Sequence, residues 1–310
     1  FSDATFVAVT GSVGKTTTKE FISAVASASF KTHKTKGNYN NEIGLPLTLF
    51  DLSPDDKVSV IEMGMSARGE IEYMSKLVRP DIAVITNIGT SHLAALGTRE
   101  NICAAKLEIV SGLKKDGSLM LNADEPLLFA TRGHVEPEPE FVSVYNRFGD
   151  YRAVNIRYLE NGIMYDLIYN NKAVTNVEIP ALGRHNVYNS LIAYAVGVKL
   201  GMTDDMIRRM QKLPVVLDLQ PVFLETDMHW AVERIGPERA AYSYRWETYR
   251  KAGLILTGGS DCPVEPFSPW LNIYTAVARK DFHRCPEGGY QPEEKMSVYD
   301  AVCMFTKNLH

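Results

Sequence analysis

TFVAVTGSVGKTTT, residues 5–18, is the stretch that decides the fold. An apolar run ends in glycine, a short loop follows, and Lys15 with three threonines opens a helical segment. A phosphate cradle needs this strand–loop–helix order. Gly11 and Gly14 let backbone N–H groups approach an anion closely, and the helix N-terminus adds partial positive charge. Lys15 is then placed to reach β/γ-phosphates, and the Thr16 hydroxyl to ligate Mg²⁺. The longer P-loop pattern asks for glycine where this chain has Val9, so the match is to the shorter GxxGKT form. The competing reading is a glycine-rich turn with an incidental lysine. The strand before it and the helix after it weigh against that.

Working outward, KVSVIEMG (57–64), DIAVITNI (81–88) and SLMLNAD (118–124) read as further buried strands. Helical patterns lie between them at 15–29, 69–78 and 99–114. Continuous apolar strands alternating with helices predict an α/β fold, a mostly parallel sheet covered on both faces. From 151 the pattern changes. Three short β-rich runs, broken at Glu160-Asn161-Gly162 and Asn170-Asn171, predict antiparallel hairpins. Residues 185–201 and 203–212 read as helices, and EPEPE (136–140) as a solvated loop. Glu62 ends the second strand, and Asn87 and His92 follow the third. Ligands of open α/β sheets bind beside the carboxyl ends of strands, so these groups should share the crevice of the phosphate loop. A carboxylate and an imidazole beside a triphosphate point to metal ligation, although a lone loop histidine is more often simply hydrogen-bonded.

The 310 residues have room for two domains; 45% are hydrophobic and 23% charged, the balance of a soluble globular chain. A formal net charge of −4 gives no reason to expect nucleic acid or an anionic membrane as partner. No apolar run approaches a membrane span, and no signal-peptide pattern opens the chain. Phe1 in place of an initiator methionine implies a start inside a longer protein. Cys103, Cys262, Cys285 and Cys303 form no CxxC pair, as expected of reduced structural thiols in the cytoplasm.

The stretches TGSVGKTTTKE (10–20), KGNYNNEIGLPLTLF (36–50), IEMGMSARGEIEYMSKLVRPDIAVITNIGTSHL (61–93), ENICAAKLEI (100–109), LNADEP (121–126) and GRHNVYNSLIA (183–193) together resemble the central ATP-binding domain of the Mur ligases. NYNNEIG and ITNIGTSHL point to the branch that adds D-Ala-D-Ala to UDP-MurNAc-tripeptide in peptidoglycan synthesis. The resemblance implies a P-loop domain over 1–213 that takes ATP and Mg²⁺. It places Gly11, Ser12, Gly14, Lys15, Thr16 and Thr17 around the phosphates. Asn186 and Asn189, with His185 alongside, would hydrogen-bond adenine. Thr16, Glu62, His92 and Lys106 would serve the metal ions, with Lys15, Lys106 and His92 in catalysis and Lys106 carbamylated by CO₂. Read from the residues alone, Lys106 is an exposed helix lysine. Asn40 and Asn41 would lie near the phosphates and the acceptor. The implied mechanism is carboxylate activation through an acyl phosphate.

The family also has an N-terminal domain that grips the UDP-sugar and a C-terminal domain that closes over ATP. Neither is recognisable here. Residues 214–310, with GSDCPVEP as their most specific phrase, resemble instead the last part of a metal-dependent amidohydrolase, a partial (β/α)₈-barrel fragment. Asp261 would be that family's metal ligand, but no HxH pair occurs in the chain. A residue capping a turn is the simpler reading of Asp261. MQKLPVVLDLQPVF (210–223) therefore reads as a junction of unrelated fragments near Leu213-Pro214. Three functions follow: a ligase core, incomplete as written; a Mg-ATP-binding module without turnover; and, less favoured, an amidohydrolase.

Overall fold

The computed structural model describes residues 3–159, 162–181, 183–204, 216–241, 243–251, 255–262 and 265–309. The chain divides into two compact units, Phe1–Leu213 and Pro214–His310. The Leu213-Pro214 junction and nearly all of the helix expected over 203–212 lie outside the described residues, as do Glu160 and Asn161 of the first hairpin turn.

In the first unit β1 (Thr5–Thr10), β2 (Thr32–Lys34), β3 (Val58–Glu62), β4 (Ile82–Ile85), β5 (Ser118–Asn122), β6 (Glu140–Ser143), β7 (Tyr151–Leu159), β8 (Gly162–Tyr169) and β9 (Lys172–Ile179) form one sheet. Their order is β2-β3-β1-β4-β5-β6-β7-β8-β9. Pairing is parallel from β2 to β7 and antiparallel from β7 to β9. The side chains of β1 show why its run has no polar break. Val7 and Val9 enter one apolar layer with Ile22 and Val25 of α1 (Lys15–Ser27) and Val187 and Leu191 of α7 (His185–Lys199). Phe6 and Ala8 enter the opposite layer with Ile71 and Met74 of α3 (Glu70–Val78) and Ile102 of α5 (Arg99–Leu107). A strand buried on both faces needs apolar residues at every position. In β9 just one side is buried, through Val174, Val177 and Ile179, and α7 lies in the same layer.

Two strands were not legible in the sequence. β2 has three residues on the sheet edge, and β6 follows the acidic loop that hid it. The helix expected over 99–114 ends at Leu107 and tightens into a 3₁₀ turn over Glu108–Gly112. Gly112 lies so close to α3 that a Cβ there would stand 2.0 Å from the Ser75 carbonyl. The chain runs from β1 to β2 and β3 on one side and then crosses to β4 on the other, so the strand order reverses at β1. The carboxyl end of β1 is the switch point at which this class of sheet binds ligands.

The second unit has a two-stranded parallel sheet, β10 (Val216–Leu219) with β11 (Ile255–Gly258). Its core gathers Leu224, Met228, Trp246, Leu256, Ala276, Met296, Ala301 and Met304. Arg279 is fully buried there. Its guanidinium donates to the Tyr290 and Tyr244 carbonyls and to Gln291, and lies 4.7 Å from the Trp246 ring centre. Helices follow strands as in a barrel, but among the described residues no barrel wall forms. Asp261 is an exposed turn residue at φ 53°, just past β11.

Candidate functional site

The loop after β1 has the conformation that the sequence required. Gly14 caps α1 at φ 81°, and no acidic residue occupies the first turn of the helix. The early N–H groups of α1 therefore face outward with the positive end of the helix dipole. Lys15 folds back and donates from Nζ to the Gly11 carbonyl at 3.0 Å. Thr16 is exposed, and the Ser12 hydroxyl is buried with no hydrogen-bond partner.

The residues after β4 form a mould for this loop. Asn87 accepts from the Val13 N–H at 3.0 Å and donates to the Val13 carbonyl at 3.1 Å, and its own carbonyl accepts from the Ser12 N–H at 3.2 Å. Thr86 donates to the same Val13 carbonyl at 2.7 Å. Asn87 thus fixes the loop; the sequence placed it in the crevice without that role. Asn87→Ala removes two side-chain hydrogen bonds, together about 1–3 kcal/mol. Roughly tenfold weaker binding of a nucleotide analogue is the expected result of a titration.

Asn189 and Asn186 lie on the first turns of α7, both buried. Asn189 accepts from the Thr18 hydroxyl of α1 at 2.9 Å and donates to Asn186 at 3.0 Å. Both groups expected to meet adenine are therefore coupled to the phosphate helix. His185, beside them, is exposed. Of the pair expected near the acceptor, Asn41 accepts from the Ile43 and Gly44 N–H groups at the start of α2 (Gly44–Phe50), a local turn. Asn40 reaches the site and donates to Glu62 Oε1 at 2.7 Å.

Glu62 is buried at the end of β3, and its Oε2 accepts no hydrogen bond. Lys106 is also buried, on α5, where its sequence alone read as an exposed helix lysine. Burial, and then the nearby charge of Lys15, lowers its amine to about 7. Among the described residues it makes no ion pair. His92 is exposed at φ 65°. Partial desolvation, followed by the charges of Lys106 and Lys15, holds its imidazole below the usual range, against the opposing pull of Glu70. Lys15, His92 and Lys106 thus share one electrostatic neighbourhood, and His92 favours the neutral form that ligates metals. An undersatisfied buried carboxylate oxygen and a threonine hydroxyl suit Mg²⁺, which prefers hard oxygen donors. No group of three His, Cys, Asp or Glu side chains placed to hold a metal ion occurs among the described residues.

Residues 9–197 match the family model of the Mur ligase middle domain. The chain belongs to the Mur ligases. The match to Mur ligases takes in the phosphate loop, Glu62, His92, Lys106 and both asparagines of α7. The UDP-N-acetylmuramoyl-tripeptide–D-alanyl-D-alanine ligase of Bacillus subtilis is 44% identical over 200 residues, which are 64% of this chain and 42% of that protein. The Escherichia coli ligase of the same name is 36% identical over 206 residues, 66% of this chain and 45% of the relative. The chain thus spans less than half the length of these Mur ligases. A crystal structure of MurF from Acinetobacter baumannii superposes with a TM-score of 0.65 at 30% identity, covering 74% of this chain and 54% of that one. Thermotoga maritima MurF, solved with ADP, gives a TM-score of 0.64 at 22% identity, a likeness of fold. Residues 160–309 also match an amidohydrolase family model. Its overlap with the Mur ligase model, 160–197, lies in the first unit, where Asn189 bonds to α1.

Proposed function

We propose that the first unit is the nucleotide-binding core of an ATP-dependent amide ligase that joins D-Ala-D-Ala to UDP-MurNAc-tripeptide in the cytoplasm. The observation that carries this reading is the buried amine of Lys106 within the field of Lys15, in a chain of which 200 residues are 44% identical to part of a ligase of that name. In the reaction, a carboxylate oxygen of the tripeptide attacks the γ-phosphorus of ATP and ADP leaves. The amine of D-Ala-D-Ala then attacks the resulting acyl phosphate, and phosphate leaves with the bond it held.

The residues have distinct tasks. The N–H groups of Gly14 to Thr17 and the charge of Lys15 hold the phosphates, with Gly11 and Ser12 completing the loop. Lys15 must first leave the Gly11 carbonyl. Asn186 and Asn189 lie on the nucleoside side. Thr16, Glu62, His92 and a carbamate on Lys106 would hold Mg²⁺, which when bound would neutralise charge on the transferring phosphoryl group. His92, neutral, adds no cationic repulsion. No helix among the described residues is long and apolar enough to cross a membrane. The hydrolase reading would need Asp261 to gain partners; it stands exposed in its turn.

Calorimetric titration of the chain with Mg²⁺ and a non-hydrolysable ATP analogue tests the reading. Saturable binding, weakened at least a hundredfold by Lys15→Ala, is expected. An assay for amide formation from tripeptide and D-Ala-D-Ala separates ligase from binding module. Turnover abolished by Lys15→Ala makes it a ligase, and binding without turnover makes it a module.

A further inference from the structure

Lys19 lies one helical turn beyond Lys15 yet points inward, with 1% of its surface exposed. A charge so buried needs compensation. Its Nζ donates to the Thr35 carbonyl at 2.8 Å and lies 3.3 Å from Glu20 Oε1 and 3.7 Å from Glu62 Oε2. Glu62 is held by its surroundings. Its N–H donates to Thr35 Oγ1 at 2.9 Å, and its Oε1 accepts from Asn40 at 2.7 Å. The remaining oxygen, Oε2, is buried and accepts no hydrogen bond. A charge-assisted N⁺–H···O⁻ hydrogen bond has a length of about 2.7–2.9 Å. Here the ammonium uses its short hydrogen bond on a carbonyl and stands back from the carboxylate.

We infer that Lys19 is a positioning residue: it supplies countercharge and orientation to Glu62 while leaving Oε2 open to a divalent cation at the phosphate site. The inference rests on the proposed role of Glu62 as a metal ligand. Lys19 itself touches no substrate. Glu20, also paired with Lys34, is the second carboxylate that draws Nζ away from Glu62.

The test is Mn²⁺ binding, read by electron paramagnetic resonance on the full chain with a non-hydrolysable ATP analogue. Glu62→Gln is expected to weaken Mn²⁺ at least tenfold. Lys19→Met should do likewise and Lys19→Arg should recover part, while the affinity for the analogue in EDTA stays the same in all. Glu20→Gln, a half-exposed change that spares the core, should let Nζ close on Oε2 and weaken Mn²⁺ several-fold; it serves as the test if Lys19→Met does not fold. Unchanged or tighter Mn²⁺ binding in Lys19→Met, or in Glu20→Gln where that serves, overturns the role of Lys19. If Glu62→Gln binds Mn²⁺ as well as the parent does, the reading of Glu62 fails, and this inference fails with it.

Discussion

Gly11→Ala is expected to abolish saturable binding of a Mg²⁺–nucleotide analogue, a loss of at least a hundredfold. The backbone at Gly11 has φ +151°, where side chains are rarely accommodated, and a Cβ there would stand 1.9 Å from Thr86 Oγ1. Thr86 cannot yield easily. Its N–H donates to the Thr10 carbonyl at 3.0 Å, extending the β1–β4 ladder, and its hydroxyl donates to the Val13 carbonyl. The loop must therefore move away from β4. In doing so it gives up the Asn87 contacts that shape residues 12 and 13 and the seat of the Lys15 ammonium. Gly14 differs: an added Cβ would meet nothing closer than 3.6 Å, so alanine there brings strain at φ +81° without a collision. Calorimetric titration checks both, with thermal unfolding as control. Gly11→Ala/Thr86→Ala, which removes the offending oxygen, should recover part of the affinity.

The same stretch shows how much of the site the sequence could reveal. The strand–loop–helix turn at 10–18 was readable because its signal is carried by neighbours in sequence: two glycines, a lysine, a threonine, a strand before and a helix after. β1, β3, β4 and β5 were readable because they are buried on both faces and are therefore almost wholly apolar, the small buried Ser59 of β3 apart. β2 was not, since three residues on a sheet edge give no such signal, nor was β6, whose first residue belongs to the acidic EPEPE run. The Asn87 clasp joins residues 74 positions apart, which no local pattern encodes. Lys19 was in plain view inside GKTTTKE. Its i+4 spacing from Lys15 suggests a shared outer face, whereas burial against Thr35 and Glu62 turns it inward. In the second unit the βα order was legible, but order alone does not distinguish a barrel piece from a small open sheet; among the described residues two paired strands are what the fold supplies.

Lys106→Met should make the protein more stable at neutral pH and remove most of a rise in stability on the alkaline side. The folded chain holds this amine at about 7, against 10.5 for an ordinary lysine, chiefly through burial and secondarily through Lys15. Below about pH 7 both folded and unfolded chains are protonated, and the buried cation costs its full penalty. Between about 7 and 10.5 the unfolded chain binds the extra proton, so stability increases with pH. Above that range the amine is neutral in both, and the penalty is gone. At about 1.4 kcal/mol per pH unit the whole shift corresponds to at most roughly 5 kcal/mol. Chemical denaturation at pH 6 and pH 10 reads the difference, and parallel curves for Lys106→Met and the parent would show that Lys106 carries no such penalty. What the penalty purchases is reactivity. At pH 7 about half of an amine with this pKa is neutral, against on the order of one in 3,000 for an ordinary lysine. A neutral amine can add CO₂, releasing one proton and leaving a carbamate, so a cation becomes an oxygen donor for a metal. In bicarbonate, intact-mass measurement under non-acidic conditions should therefore show one CO₂ added to the parent and none to Lys106→Met. An unmodified parent at pH 8 would remove the carbamate from the proposed metal ligands and leave Glu62, His92 and Thr16.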